Sequence, residues 1–172
     1  MKRLIVEENT ANDTQSEHVA RTPLTPRQEL RQAWVEWIST LDDWQWFAHF
    51  TFREPIHPEQ ANKRFLRFTR DMNRNLFGRR YGEEGKGVTW VRGLEYQKRD
   101  VIHFHVLYGG GVGVLRRLTY VDKWWNDNNK SISRIQPYNK NKGAVYYMTK
   151  YVVKGGEMDI YIPQKGVQKT LA

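Results

Sequence analysis

Two short segments carry residue types that can do phosphoryl chemistry. The first is His103-Phe104-His105, inside the apolar run Val101 to Tyr108. In an extended strand, residues two apart share a face and lie roughly 6 to 7 Å apart, so both imidazoles can converge on one ion. Val88 to Gln97 reads as the preceding strand, with Lys98-Arg99-Asp100 as a three-residue hairpin turn. That turn pairs Gln97 with Val101 and sets Glu95 opposite His103 on the same face, with Cβ atoms about 5 Å apart. A two-residue turn would send Glu95 to the other face. The two histidines and one carboxylate suit Zn²⁺ or, with waters completing the shell, Mn²⁺ or Mg²⁺ acting on a phosphoryl oxygen. His-x-His alone fits a structural role equally well, and Glu95 in register favours the metal.

The second segment is Tyr147-Met148-Thr149-Lys150-Tyr151-Val152-Val153-Lys154, in which Tyr-x-x-Lys occurs twice. The pattern predicts a helix from Gly143 to Lys154 with Ala144, Val145, Met148 and Val152 as its core stripe. Tyr147 and Tyr151 then flank that stripe, with Lys150 and Lys154 just beyond. A free phenol has a pKa near ~10 and attacks poorly unless a cation or metal favours the phenolate, which these lysines could do. The alternative is that both rings simply pack. Tyr146, on another face, reads as structural.

The elements that must hold these segments are readable too. Residues 1–24 form a polar and basic arm without sustained period, expected to be flexible, and residues 163–172 a tail, leaving one domain over 25–162. Thr25-Pro26-Arg27-Gln28 is a capping box opening an amphipathic helix to Leu41. Its Trp34 and Trp37 are packing residues or an addition particular to this chain. Trp46 to Arg53 alternates, with Trp46, Ala48, Phe50 and Phe52 on one face. His49, Thr51 and Arg53, on the other, are candidate DNA contacts. A helix from about Pro58 to Phe77 buries Ala61, Phe65, Phe68, Met72 and Leu76, and its Lys63, Arg67, Arg70 and Arg74 form a stripe best read as a solvated face. A third helix around Leu115 to Trp125 and a short strand from Ser131 to Pro137 follow. Helices among hairpin-linked strands indicate an α+β domain with an antiparallel sheet.

Composition bounds the chemistry. With 28 Lys and Arg against 19 Asp and Glu, the formal charge is +9, which favours a polyanionic partner. There is no cysteine among the 172 residues, excluding disulfides and thiolate metal sites. Seven Trp, nine Tyr and seven Phe supply core and candidate stacking surfaces for unpaired bases. No run suits a membrane span or signal peptide, so a cytoplasmic protein, not secreted and without a membrane partner, is expected.

Together these segments resemble the replication-initiator (Rep) branch of the HUH endonucleases over about residues 44 to 156. Phe50-Thr51-Phe52 is similar to the family's first motif, His103-Phe104-His105 to the second, and YMTKYVVK to the tyrosine motif. The order, with tyrosines after histidines, differs from conjugative relaxases, and the pair Tyr147 and Tyr151 resembles two-tyrosine initiators. The resemblance implies a five-stranded antiparallel sheet of RRM-like (ferredoxin-like) topology. It implies that Glu95, His103 and His105 bind Mn²⁺ or Mg²⁺ and that a tyrosine, Tyr151 ranked slightly ahead of Tyr147, nicks single-stranded DNA. The products would be a 5′-phosphotyrosine and a free 3′-hydroxyl, with Lys150 and Lys154 contacting phosphate or the phenolate. The expected substrate is single-stranded DNA at a hairpin origin of rolling-circle replication, with a separate helicase and host polymerase as partners. A transposase-type nickase shares the order of motifs. Two further readings compete: a non-catalytic RRM-like binder, stacking bases on His49, Phe50 and Trp90, and a phosphodiesterase using activated water.

Overall fold

The first helix begins where its capping chemistry dictates. Thr25 Oγ1 accepts from the Gln28 backbone N–H and Gln28 Oε1 accepts from that of Thr25 (2.8 Å), with Pro26 at the first helical position. In the computed structural model, which describes residues 23–97, 100–154 and 156–163, this helix, α1, runs Pro26–Leu41. Most of the arm and of the tail, Lys98 and Arg99 of the turn, and Gly155 lie outside the described residues.

The remaining elements are β1 (Trp46–Thr51), α2 (Pro58–Phe77), β2 (Trp90–Tyr96), β3 (Ile102–Tyr108), α3 (Arg117–Asp127), β4 (Ile132–Pro137), α4 (Ala144–Met148), α5 (Lys150–Val153) and β5 (Met158–Tyr161). All strands pair antiparallel in the order β4-β1-β3-β2-β5. From β1 to β4 the run is β-α-β-β-α-β, the ferredoxin-like arrangement. The α+β class and the five-stranded antiparallel sheet are therefore present as the sequence reading expects.

Alternation assigns the sheet's two faces. Trp46, Ala48, Phe50, Phe104, Val106 and Tyr108 turn to one side, where Phe65, Phe68 and Met72 of α2 and Trp124 of α3 close an aromatic core. Phe50 meets Phe68 edge-on at 5.0 Å and packs on Trp124 at 4.4 Å, geometries that add to area burial. On the other face Val91 and Leu107 pack under Ile38 of α1 and Ala144, Val145, Met148 and Tyr151 of α4 and α5. Lys63, Arg67, Arg70 and Arg74 are exposed on α2. Trp34 packs against the second core, whereas Trp37 is exposed.

Two expectations need correction. The last helix is broken at Thr149 into α4 and α5. Thr149 Oγ1 donates to the Tyr146 carbonyl (2.7 Å) and accepts from Arg31 Nε (3.0 Å), so its side chain competes for the helical ladder. After the break Tyr151 fills the core, and Val152, expected there, is only half-buried. The residue pattern also carries no sign of β5. Phe50 and Trp90, a stacking platform in the reading as a non-catalytic binder, are buried on the face covered by α2 and α3.

Candidate active site

The hairpin turn sets the site's parity. The Gln97 N–H donates to the Val101 carbonyl (3.0 Å), and the register that follows pairs Glu95 with His103 and Gly93 with His105. Glu95, His103 and His105 therefore share one face, as a three-residue turn requires. The next strand adds a third imidazole, because β1 pairs His49 with His105 and Thr51 with His103. Ligand atoms of His49, His103 and His105 all lie within 4.8 Å of one another, and these three side chains could hold a metal ion.

The donors are in the state a metal needs. Burial holds His49 neutral down to a pKa of about 4, helped by repulsion from His103, Arg134 and Lys150. Burial, with His103 and His49 nearby, lowers His105 to about 3, and burial also lowers His103 against the opposing pull of Glu95. Neutral imidazoles keep a lone pair for coordination. Thr51 Oγ1 hydrogen-bonds Nδ1 of His103 and so orients that ring. In His105, Nε2 meets Glu95 Oε2 and the Tyr147 hydroxyl, both at 3.2 Å, while the buried Nδ1 has no partner. An orphaned buried nitrogen beside two other imidazoles fits an absent cation.

The tyrosine segment lies directly over this cluster. Lys150 Nζ stands 2.7 Å from Glu95 Oε2 and also donates to the Tyr147 hydroxyl. Burial opposes the charge on Lys150, but these two partners outweigh it and raise its pKa. Burial likewise opposes ionisation of Glu95, and Lys150 and His105 reverse that, so the carboxyl sits below its ordinary range. The two phenols differ. Tyr147 is half-buried, with its oxygen on His105 and Lys150. Tyr151 is 4 % exposed, its ring lies on Gly93 where a Cβ would overlap it, and its hydroxyl donates to Glu95 at 3.3 Å. Burial, followed by Tyr147 and Glu95, pushes the Tyr151 pKa far up.

Helix α1 braces the segment from outside. Arg31 Nη2 donates to the Tyr146 carbonyl (3.0 Å) with its guanidinium over the Tyr146 ring, and Arg27 Nη2 donates to the Val153 carbonyl (3.0 Å). Lys154 and Arg53 are exposed and outside this network of contacts, and the Arg53 backbone N–H donates to Ser131 Oγ.

The model of one protein family, described as replication-associated protein ORF2, matches residues 45–156, about two thirds of the chain. The chain belongs to this family of replication-associated proteins. Membership fits a replication initiator. Comparison with curated proteins and with solved structures gave no match. The match spans β1 to α5, the histidines and the tyrosines, and begins beyond α1.

In this replication-associated protein the sequence reading misses two features of the site. His49, a candidate DNA contact by its place in the strand, instead completes the imidazole cluster; Arg134, its partner across β1 and β4, is an exposed cation beside it. The alternation of β4 marks Ile132, Arg134 and Gln136 as one face, but only the β1–β4 register places that face by the histidines. Among the described residues, no helix is long and apolar enough to cross a membrane.

Proposed function

We propose that this replication-associated protein is an HUH-type endonuclease of the Rep kind, which nicks and rejoins single-stranded DNA through a tyrosine to start rolling-circle replication. One observation carries the reading: the Tyr147 hydroxyl contacts both His105 of the imidazole cluster and Lys150. A nucleophile, a cation and a set of metal donors thus meet at one point.

His49, His103 and His105, with Glu95 beside His105, would hold a divalent ion that polarises a non-bridging oxygen of the scissile phosphate. Three imidazoles favour Mn²⁺ over Mg²⁺, which prefers an all-oxygen shell. Lys150, kept charged by Glu95, offers positive charge to the Tyr147 oxygen as its proton leaves. That oxygen bonds to phosphorus, the bond to the 3′-oxygen breaks, and the 3′-oxygen takes a proton. The products are a 5′-phosphotyrosine and a free 3′-hydroxyl for a host polymerase, with a separate helicase opening the duplex. Attack by a 3′-hydroxyl on the phosphotyrosine reverses the step without ATP.

Its greater exposure ranks Tyr147 ahead of Tyr151 as the first nucleophile, the reverse of the order that the motif resemblance implies. Tyr151 would act second, after its ring leaves Gly93. Arg134 supplies a cation for the DNA backbone at the face of the site, and Arg53 and Lys154 are further exposed cations open to the strand.

The test is a hairpin oligonucleotide with a single-stranded tail, labelled at its 3′ end and incubated with Mn²⁺ or EDTA. The reading expects a labelled protein band under denaturing conditions with Mn²⁺ only. Cleavage with no label on protein would mean a water-activated phosphodiesterase, and binding without cleavage a non-catalytic binder.

A further inference from the structure

A cavity of about 320 Å³ opens beside the cluster, lined among others by Phe47, His49, Gln136, Asn139, Lys142 and Tyr147. None of its lining residues is acidic. It lies where β1 and β4 present Phe47 opposite Gln136, and Tyr147 closes it against α4. Its size falls at the small end of the ~300 to 1,000 Å³ range of ligand pockets, room for a single nucleotide unit. Phe47 is half-buried and offers an aromatic wall, held edge-on by His49 at 4.6 Å and by Tyr147 at 6.3 Å.

The polar groups of the cavity have a definite sense. Asn139 Oδ1 accepts from the Asn141 backbone N–H at 2.9 Å, which commits its oxygen and leaves its NH₂. With its amide oxygen turned toward Arg134, Gln136 accepts from Nη2 at 2.8 Å and Nε at 3.1 Å, which again leaves an NH₂. Lys142 adds an ammonium and no acceptor. Three side chains therefore present donors around one aromatic wall.

We infer that this cavity is a base-reading subsite that takes one unpaired keto base, thymine or guanine, next to the phosphate at Tyr147. The flat face of the base lies on Phe47, its carbonyl oxygen accepts from Gln136 and Asn139, and Lys142 meets a backbone phosphate. Cytosine and adenine put an amino group where thymine and guanine put a carbonyl, so they set donor against donor. A buried donor facing a donor loses its bond and keeps its desolvation cost, which makes the discrimination larger than one hydrogen bond. The place of the subsite beside a scissile phosphate rests on the nicking reading; its preference for keto bases does not.

The experiment compares fluorescein-labelled dT12 and dC12 by fluorescence anisotropy in EDTA, where no strand is cut. These probes have equal length, charge and ring size and differ at the exocyclic group. The wild-type protein should bind dT12 about tenfold tighter than dC12. In the double variant Asn139→Asp, Gln136→Glu the capping oxygen and the acceptor for Arg134 remain, but both donors are gone. Its added negative charge weakens both probes alike, and the dT12 to dC12 ratio should fall to within about twofold. Equal wild-type binding of the two probes, no binding of either, or an unchanged ratio in the double variant would overturn the subsite. Assaying wild-type covalent product separately on a hairpin with Mn²⁺ keeps the two failures apart. Adduct without a base preference sinks only the subsite, and a base preference without adduct sinks only the nicking reading.

Discussion

Lys150 Nζ lies 2.7 Å from Glu95 Oε2, so the carboxylate nearest the imidazole cluster is already neutralised by a cation of the tyrosine segment. The two halves of the site are coupled: an ion drawn to Glu95 must compete with Lys150, and Lys150 can serve Tyr147 only while Glu95 holds it. Lys150→Met should therefore have opposite effects on binding and chemistry. Mn²⁺ affinity, measured by calorimetry, should rise about tenfold as a nearby positive charge is removed. The rate of covalent product formation should fall by about a hundredfold or more, because the phenol oxygen loses its cation. Weaker Mn²⁺ binding in this variant would show that Lys150 supports the metal site.

Thr51 separates an orienting role from a DNA contact. Its hydroxyl holds Nδ1 of His103, and groups that orient metal-binding histidines are worth roughly 10- to 100-fold in affinity. Thr51→Val should lower Mn²⁺ affinity by about tenfold and leave DNA affinity in EDTA unchanged. The converse pattern would return Thr51 to the role of a DNA contact.

What the sequence made legible was what local geometry controls. The parity of a three-residue turn aligned Glu95 with His103, and the Gln97 to Val101 hydrogen bond realises it. Alternation separated Phe50 from His49, and i, i+3, i+4 spacing found Phe65, Phe68 and Met72. The part His49 plays, by contrast, depends on β1 lying against β3, a pairing between segments far apart in the chain that no local pattern encodes. Arg134 and Gln136 depend in the same way on β1 lying against β4. The break at Thr149 needs Arg31 from α1, and with it the buried place of Tyr151 passed out of reach of a periodicity argument. The strand Met158–Tyr161 is too short for alternation to announce it, and only the family resemblance implied a fifth strand.

Acid should unfold the protein through its histidines. Burial keeps His49 and His105 neutral to about 4 and about 3, against an ordinary value of 6.5. Between those values the unfolded chain binds protons that the folded state refuses, so stability falls as pH drops from 6.5 toward 4. Above that ordinary value both states are neutral at these positions and their contribution is flat. The melting temperature in EDTA should decline across that window, and more shallowly in His49→Gln. A melting temperature independent of pH throughout the window would contradict the burial of these rings as neutral groups.

Gly93 is required by the ring above it. A Cβ there would overlap Tyr151, whose side chain is 4 % exposed and cannot move without opening the second core. Gly93→Ala should lower the melting temperature by several degrees, an effect typical of overpacking by about 1 to 3 kcal/mol. Pairing it with Tyr151→Leu should recover part of the loss. Full stability in Gly93→Ala would mean that the ring does not rest on that glycine.

The central claim is that a tyrosine hydroxyl beside the imidazole cluster becomes joined to DNA, and single substitutions of the two candidates test it most directly. A hairpin substrate labelled at its 3′ end, with Mn²⁺, should give a covalent band with the wild-type protein and with Tyr151→Phe. It should give none with Tyr147→Phe, and both variants should melt within a few degrees of the wild type. A band from the Tyr147→Phe, Tyr151→Phe double variant, or none from the wild type, would contradict the account.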